Sequence, residues 1–200
     1  MKLENVVDQC RESTEKSLDS NIKVHTFLRS PLSVQLPLHI SLSAPLVLKT
    51  DTKDAFAAAI KEKLSISGAH SFATHAVSVA WVSNFDDTRS FLVLKLLKPD
   101  NDDLNKLLSA CNRCAGDLGL DMLYQSQGSE RLQTDKSDID DQTVAFHISI
   151  AWSLAKAQDL GEPKVQAEML NDLKDVSVSF DSVKLKIGNV VMDIALPSYA

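Results

Sequence analysis

The sequence predicts an α+β fold, one domain over 1–200 built as two pseudo-symmetric β-α-β-β lobes packed around a central groove. Three observations predict it. The chain has 200 residues, 44% hydrophobic and 24% charged, enough to bury a core and ordinary for a globular protein. Its apolar spacing switches along the chain between the two-residue period of strands and the roughly 3.6-residue period of helices. The order strand, helix, strand, turn, strand then occurs twice, over 38–97 and 146–196. Each copy opens on an apolar residue followed by His-Ile-Ser. Such self-similarity marks an internal duplication, with lobes over about 34–97 and 144–197.

The elements follow in order. Residues 3–18 place Leu3, Val6, Val7, Cys10 and Leu18 on one side of an amphipathic helix. In LHISLS (38–43) Leu38, Ile40 and Leu42 alternate with His39, Ser41 and Ser43, the pattern of a strand. Asp51 is placed to cap a helix reaching about residue 65, with Phe56, Ile60 and Leu64 at helical spacing. The runs 72–82 and 89–97 flank the turn-rich NFDDT, a hairpin signal. Pro99 and Asp100 open a helix to about residue 118, carrying Leu104, Leu107, Leu108 and Cys111.

The polar stretch 126–143 has no periodicity and reads as a flexible loop. VAFHISIAW (144–152) restores the strand pattern, with Phe146, Ile148, Ile150 and Trp152 on one face and His147, Ser149 and Ala151 on the other. A helix over about 163–174 follows, with Pro163 suited to its first turn. The runs 176–187 and 190–196 flank Gly188-Asn189, a tight hairpin turn.

Composition excludes several functions. No run of about 18 apolar residues is present to span a membrane. The first residues scatter charge and lack the apolar stretch of a signal peptide, so an intracellular protein is expected. Three cysteines are an odd count that does not suit a disulfide framework. Cys111 and Cys114 form a C-x-x-C inside a helical segment with no second pair to complete a zinc site, and read as buried thiols. The net charge of −6 argues mildly against nucleic acid. Five acids against two bases in 126–143 supply −3 of it, leaving the body close to neutral. A small local basic patch suffices to grip a few nucleotides.

The chemistry lies in the repeated tripeptide. One His-x-Ser is a weak signal; the same one at the same strand phase of two repeats is a strong one. His25, His70 and His75 recur in no such frame and read as structural. Near neutral pH one imidazole can be neutral while another is protonated, so His39 and His147 supply a base and an acid together. Ser41 and Ser149 share their faces and can donate hydrogen bonds to phosphate oxygens. RNA suits this set, because its 2′-OH is a nucleophile already beside the phosphorus. No catalytic metal and no cofactor are expected: D-x-D, H-E-x-x-H and a glycine-rich phosphate loop are all absent.

LHISLS and FHISIAW resemble the paired His-x-Ser motifs of the two-histidine (2H) phosphoesterases, and the context is closest to the U6 small nuclear RNA phosphodiesterase family. TRSFLVLKL (88–96), MLYQ (122–125) and VKLKIGNVV (183–191) support the resemblance, which runs from about residue 36 to 197. It implies a nuclear, metal-independent 3′→5′ exoribonuclease that trims the uridine-rich single-stranded 3′ end of U6 RNA by transesterification. By the same resemblance His147 is the base on the 2′-OH and His39 the acid for the leaving 5′-oxygen. Ser41 and Ser149 hold phosphate, and Tyr124 stacks on a base. Two departures stand out: the segment 126–143 separates Tyr124 from the second histidine, and a Trp-Ala-Thr-His-Val-like strand ahead of the first helix is not found, as though the chain begins late. The alternatives are a 2H enzyme acting on 2′,3′-cyclic phosphates or 2′–5′ linkages, and a non-catalytic RNA-binding module, whose sign would be a lost histidine or serine.

Overall fold

The computed structural model describes residues 2–17, 22–124, 141–175 and 177–199. Contacts divide the chain into two compact units: 1–40, 75–97 and 146–177 form the first, and 41–74, 98–145 and 178–200 the second.

The first unit is built on an antiparallel sheet. Its strands are β1 (Val24–Thr26), β2 (Phe72–Ser83, within this unit from His75), β3 (Ser90–Leu96) and β4 (His147–Ser153). These strands are ordered β1-β4-β3-β2; the fifth strand of the sheet, β5 (Ser177–Phe180), belongs from Val178 on to the second unit. β3 is hydrogen-bonded on both sides, and its Leu92, Val93, Leu94 and Leu96 are all buried. Helix α1 (Lys2–Ser17) packs against β1 and β4. Its buried Val6, Val7 and Cys10 lie on the stripe that the apolar spacing predicts. Leu18, assigned to the same stripe, falls outside the described residues. After β4 come α4 (Ala157–Leu160) and α5 (Ala167–Lys174), the latter against α1.

The second unit packs α2 (Lys53–Ser65) and α3 (Asp103–Asp117) with a hairpin of β6 (Ser182–Ile187) and β7 (Val190–Ala195). Phe56, Ile60 and Leu64, four residues apart on α2, meet Leu107, Ala110, Cys111 and Cys114 of α3, with Val183, Leu185 and Ile194 of the hairpin against them. The hairpin turn is Gly188-Asn189, as expected. Ile187 pairs with Val190, and Gly188 has φ +60°, which suits a glycine at the first central position of a two-residue turn.

Each unit draws on both halves of the chain. The first unit combines the β2–β3 hairpin of the first repeat with β4 and α5 of the second; the second unit combines α2 of the first repeat with β6–β7 of the second. In the first unit the antiparallel β3–β4 ladder joins a strand of the first repeat to a strand of the second.

Local differences have local causes. Residues 38–43 make no continuous strand, only one antiparallel bridge, Ile40 to Ile148. α3 begins at Asp103 because Asp102 sits at φ 58°, outside helical geometry. Past Gly161 at φ +66°, no residue is helical until Ala167, and Gln166 just before it is extended, so α5 starts late. The run 176–187 is broken at Asp181, whose carbonyl accepts the Leu196 N–H at 2.8 Å, and its two parts join different sheets.

Candidate active site

β4 and β3 supply the framework. On β4, half-buried His147 and Ser149 alternate with buried Ile148 and Ile150. Across the ladder Lys95 pairs with His147, Leu94 with Ile148 and Val93 with Ser149. Directly opposed residues share a face, so Lys95 stands beside His147. Burial lowers the pKa of that lysine.

Ile40 bridges to the opposite side of Ile148. In an antiparallel bridge centred on that pair, the residue before Ile40 falls opposite the residue after Ile148. His39 is therefore opposite Ser149 and diagonal to His147. Diagonal neighbours lie about 7–8 Å apart between Cα atoms. Exposure alternates along this segment: His39 and Ser41 are exposed, whereas Leu38, Ile40 and Leu42 are half-buried. Ser41 is the first residue of the second unit, to which Tyr124 also belongs.

Tyr124 adopts φ 60°. The turn before it is held by Asn112, whose side chain donates to the Leu123 carbonyl and accepts the Leu123 N–H, both at 2.9 Å. Burial raises the phenol pKa. Of the loop expected at 126–143, residues 126–140 fall outside the described residues, but its end is anchored within the second unit. Asp141 accepts from Lys98 at 2.9 Å and from Asn105 at 3.1 Å, and Thr143 donates to it. Lys98 above all holds the Asp141 carboxyl far below the usual carboxylate range.

One face assignment on β4 is corrected. The register steps from Leu92–Ala151 to Val93–Ser149, so Ile150 is an extra residue on β4. This β-bulge reverses the alternation beyond it. Trp152 therefore shares the side of His147 and Ser149, while Ala151 is buried with Ile148 and Ile150. Sequence reasoning missed Trp152 and Lys95 at this face. A bulge leaves no mark in hydropathy, and strand partners are invisible along a single strand.

The remaining histidines make contacts of their own. His25 stacks on Trp152 at 4.3 Å between centroids, His70 stacks on Tyr199 at 4.2 Å, and His75 Nδ1 lies 3.1 Å from the Lys174 carbonyl. All three cysteines are free and buried. Burial pushes the Cys10 and Cys111 thiols up to about 12 and raises Cys114 as well, which makes them poor nucleophiles and poor metal ligands. Among the described residues no three His, Cys, Asp or Glu side chains converge as metal ligands.

A family model, HVSL, described as an uncharacterised conserved protein, matches residues 1–195. The chain belongs to the HVSL family. It is 32% identical over 204 residues to U6 snRNA phosphodiesterase 1 of Neurospora crassa, a match covering 88% of this chain and 52% of that protein. The chain thus spans about half the length of that relative. Two solved structures of Usb1 from Kluyveromyces marxianus share its fold. The one with uridine monophosphate has a TM-score of 0.64 at 14% identity, covering 98% of this chain and 90% of that one. The other has a TM-score of 0.62 at 16% identity, covering 98% and 92%. The resemblance to U6 small nuclear RNA phosphodiesterases read from the His-x-Ser motifs is borne out.

Proposed function

We propose that this HVSL chain is a metal-independent 3′→5′ exoribonuclease that trims the uridine-rich single-stranded 3′ end of U6 small nuclear RNA in the nucleus. One observation carries the reading: the two His-Ile-Ser tripeptides, over 100 residues apart in sequence, meet at the Ile40–Ile148 bridge. The similarity to U6 snRNA phosphodiesterase 1 supports U6 RNA as the substrate.

The chemistry needs two proton transfers and no covalent enzyme intermediate. His147 takes the proton of the 2′-OH, and the 2′-oxygen bonds to phosphorus. As the bond from phosphorus to the 5′-oxygen breaks, His39 protonates that oxygen. The last nucleoside leaves, and the shortened RNA ends in a 2′,3′-cyclic phosphate. Exchange with water resets both rings. A diagonal offset of two histidines leaves room for one phosphate between acid and base, which a directly opposed pair would not. Ser41 and Ser149 donate to the non-bridging oxygens, where negative charge accumulates, and Tyr124 stacks on the terminal base.

The test is cleavage of oligouridine in EDTA, comparing an all-ribo substrate with one whose reacting ribose lacks the 2′-OH. Trimming of the first and survival of the second are expected. Equal cleavage of both would mean that water attacks phosphorus, and a requirement for added magnesium or manganese would overturn the mechanism.

A further inference from the structure

The bulge at Ile150 places a second group of side chains on the His147 side of the first unit. One row of the sheet runs His25 on β1, Trp152 on β4 and Phe91 on β3. His25 lies flat on the indole, at 4.3 Å with planes 21° apart. The Arg89 guanidinium carbon lies 4.5 Å from the centre of the same indole. Phe27 stacks on Phe91 at 6.2 Å. His25 and Arg89 are exposed, Trp152, Phe91 and Phe27 half-buried. A cation held over an aromatic ring has fewer orientations to lose on binding, and its N–H donors remain available to an anion.

We infer that this Arg89–Trp152–His25 ridge binds the RNA strand on the 5′ side of the nucleotide being removed, with Arg89 on a backbone phosphate and His25 stacking a base. The inference rests on the proposed function and extends it from the reacting phosphate to the strand behind it. Phe91 and Lys95 are four residues apart on β3, about 13 Å at strand rise, so the ridge is too far from His147 to touch the reacting phosphate. A 3′-exonuclease has only one nucleotide on the 3′ side of the scissile bond, so a strand reaching the ridge must be the 5′ portion. Charge and surface agree with this occupant. A cation on an aromatic platform is one means by which proteins hold single strands without reading sequence, and Arg89 supplies one local cation in a chain of net charge −6.

The experiment measures binding and cleavage separately. Octauridine with a 2′-O-methyl group on the reacting ribose is titrated against wild type, Arg89→Ala, Arg89→Lys and His25→Ala by fluorescence anisotropy at several salt concentrations. A uridine dinucleotide too short to reach the ridge is the control. Arg89→Ala is expected to weaken octauridine binding about ten-fold and to lower the salt slope by about one. Arg89→Lys restores the slope but only part of the affinity, and His25→Ala weakens octauridine binding several-fold. Dinucleotide affinity is unchanged in all three. Unchanged octauridine binding in Arg89→Ala, or equal losses on both ligands, would overturn the ridge. Whether wild type cleaves unmodified octauridine decides the proposed function independently: binding losses without cleavage would leave the ridge and remove the exonuclease.

Discussion

His39 and His147 carry the sharpest expectations. Under the proposed mechanism, replacing either with alanine removes one of two proton transfers, each worth about 10² to 10⁴ in rate. Single-turnover rates on oligouridine should fall by that much while RNA affinity changes little. A loss confined to affinity would reassign both rings to binding. Ser41→Ala and Ser149→Ala should each cost about 1.5–3 kcal/mol, one hydrogen bond to a charged group, and therefore less than a histidine. Tyr124→Ala should spare the chemical step and weaken binding by about 1–3 kcal/mol if the phenol stacks on a base. The histidine–serine pairs were legible because a two-residue period puts both side chains on one face. The position of Trp152 was not legible, since the single extra residue of a bulge reverses that parity.

Among the elements, α3 ties the end of the 126–143 segment down through one side chain. Asn105 is 1% exposed. Its amide donates to Asp102 at 2.6 Å and to Asp141 at 3.1 Å, and its carbonyl oxygen accepts the Gln142 N–H at 2.9 Å. Asn105→Ala removes these hydrogen bonds and leaves a void at a buried position of α3. A loss of about 1–3 kcal/mol is expected by denaturant titration, together with faster hydrogen exchange at the Gln142 amide. Asn105→Asp should also destabilise, because it brings a third carboxylate to Asp102 and Asp141. Unchanged stability in both variants would show that the segment is held by other contacts. The helices were legible from apolar spacing. Their first residues were not, because Asp102 and the extended Gln166 are set by backbone angles that hydropathy does not encode.

For the molecule as a whole, the buried thiols set an alkaline limit. Unfolded cysteines lose their protons near pH 8.5, whereas Cys10 and Cys111 in the fold hold theirs to about 12. Between those values the folded state binds more protons than the unfolded one. Stability therefore falls as pH rises through the window, and this contribution is fully present below it. Urea midpoints should decline from pH 9 to pH 11 in the wild type and less so in Cys10→Ala compared at each pH. Native protein at pH 8 should resist alkylation until denatured. Rapid native labelling of Cys10 or Cys111 would contradict the packing of α1 and α3.

The sequence by itself determined the α+β class, most helices and hairpins, and the paired His-x-Ser motifs, because periodicity and turn chemistry are local properties that each segment carries alone. Only the tertiary structure decided that Ile40 bridges Ile148, that Lys95 stands beside His147, and that Trp152 turns to their side between His25 and Arg89. It also decided that each compact unit takes its hairpin from one repeat and a helix from the other. The physical reason is the same throughout. Strand partners are fixed by hydrogen bonds between segments distant in sequence, and a strand's own pattern states which face is apolar without stating what lies beside it.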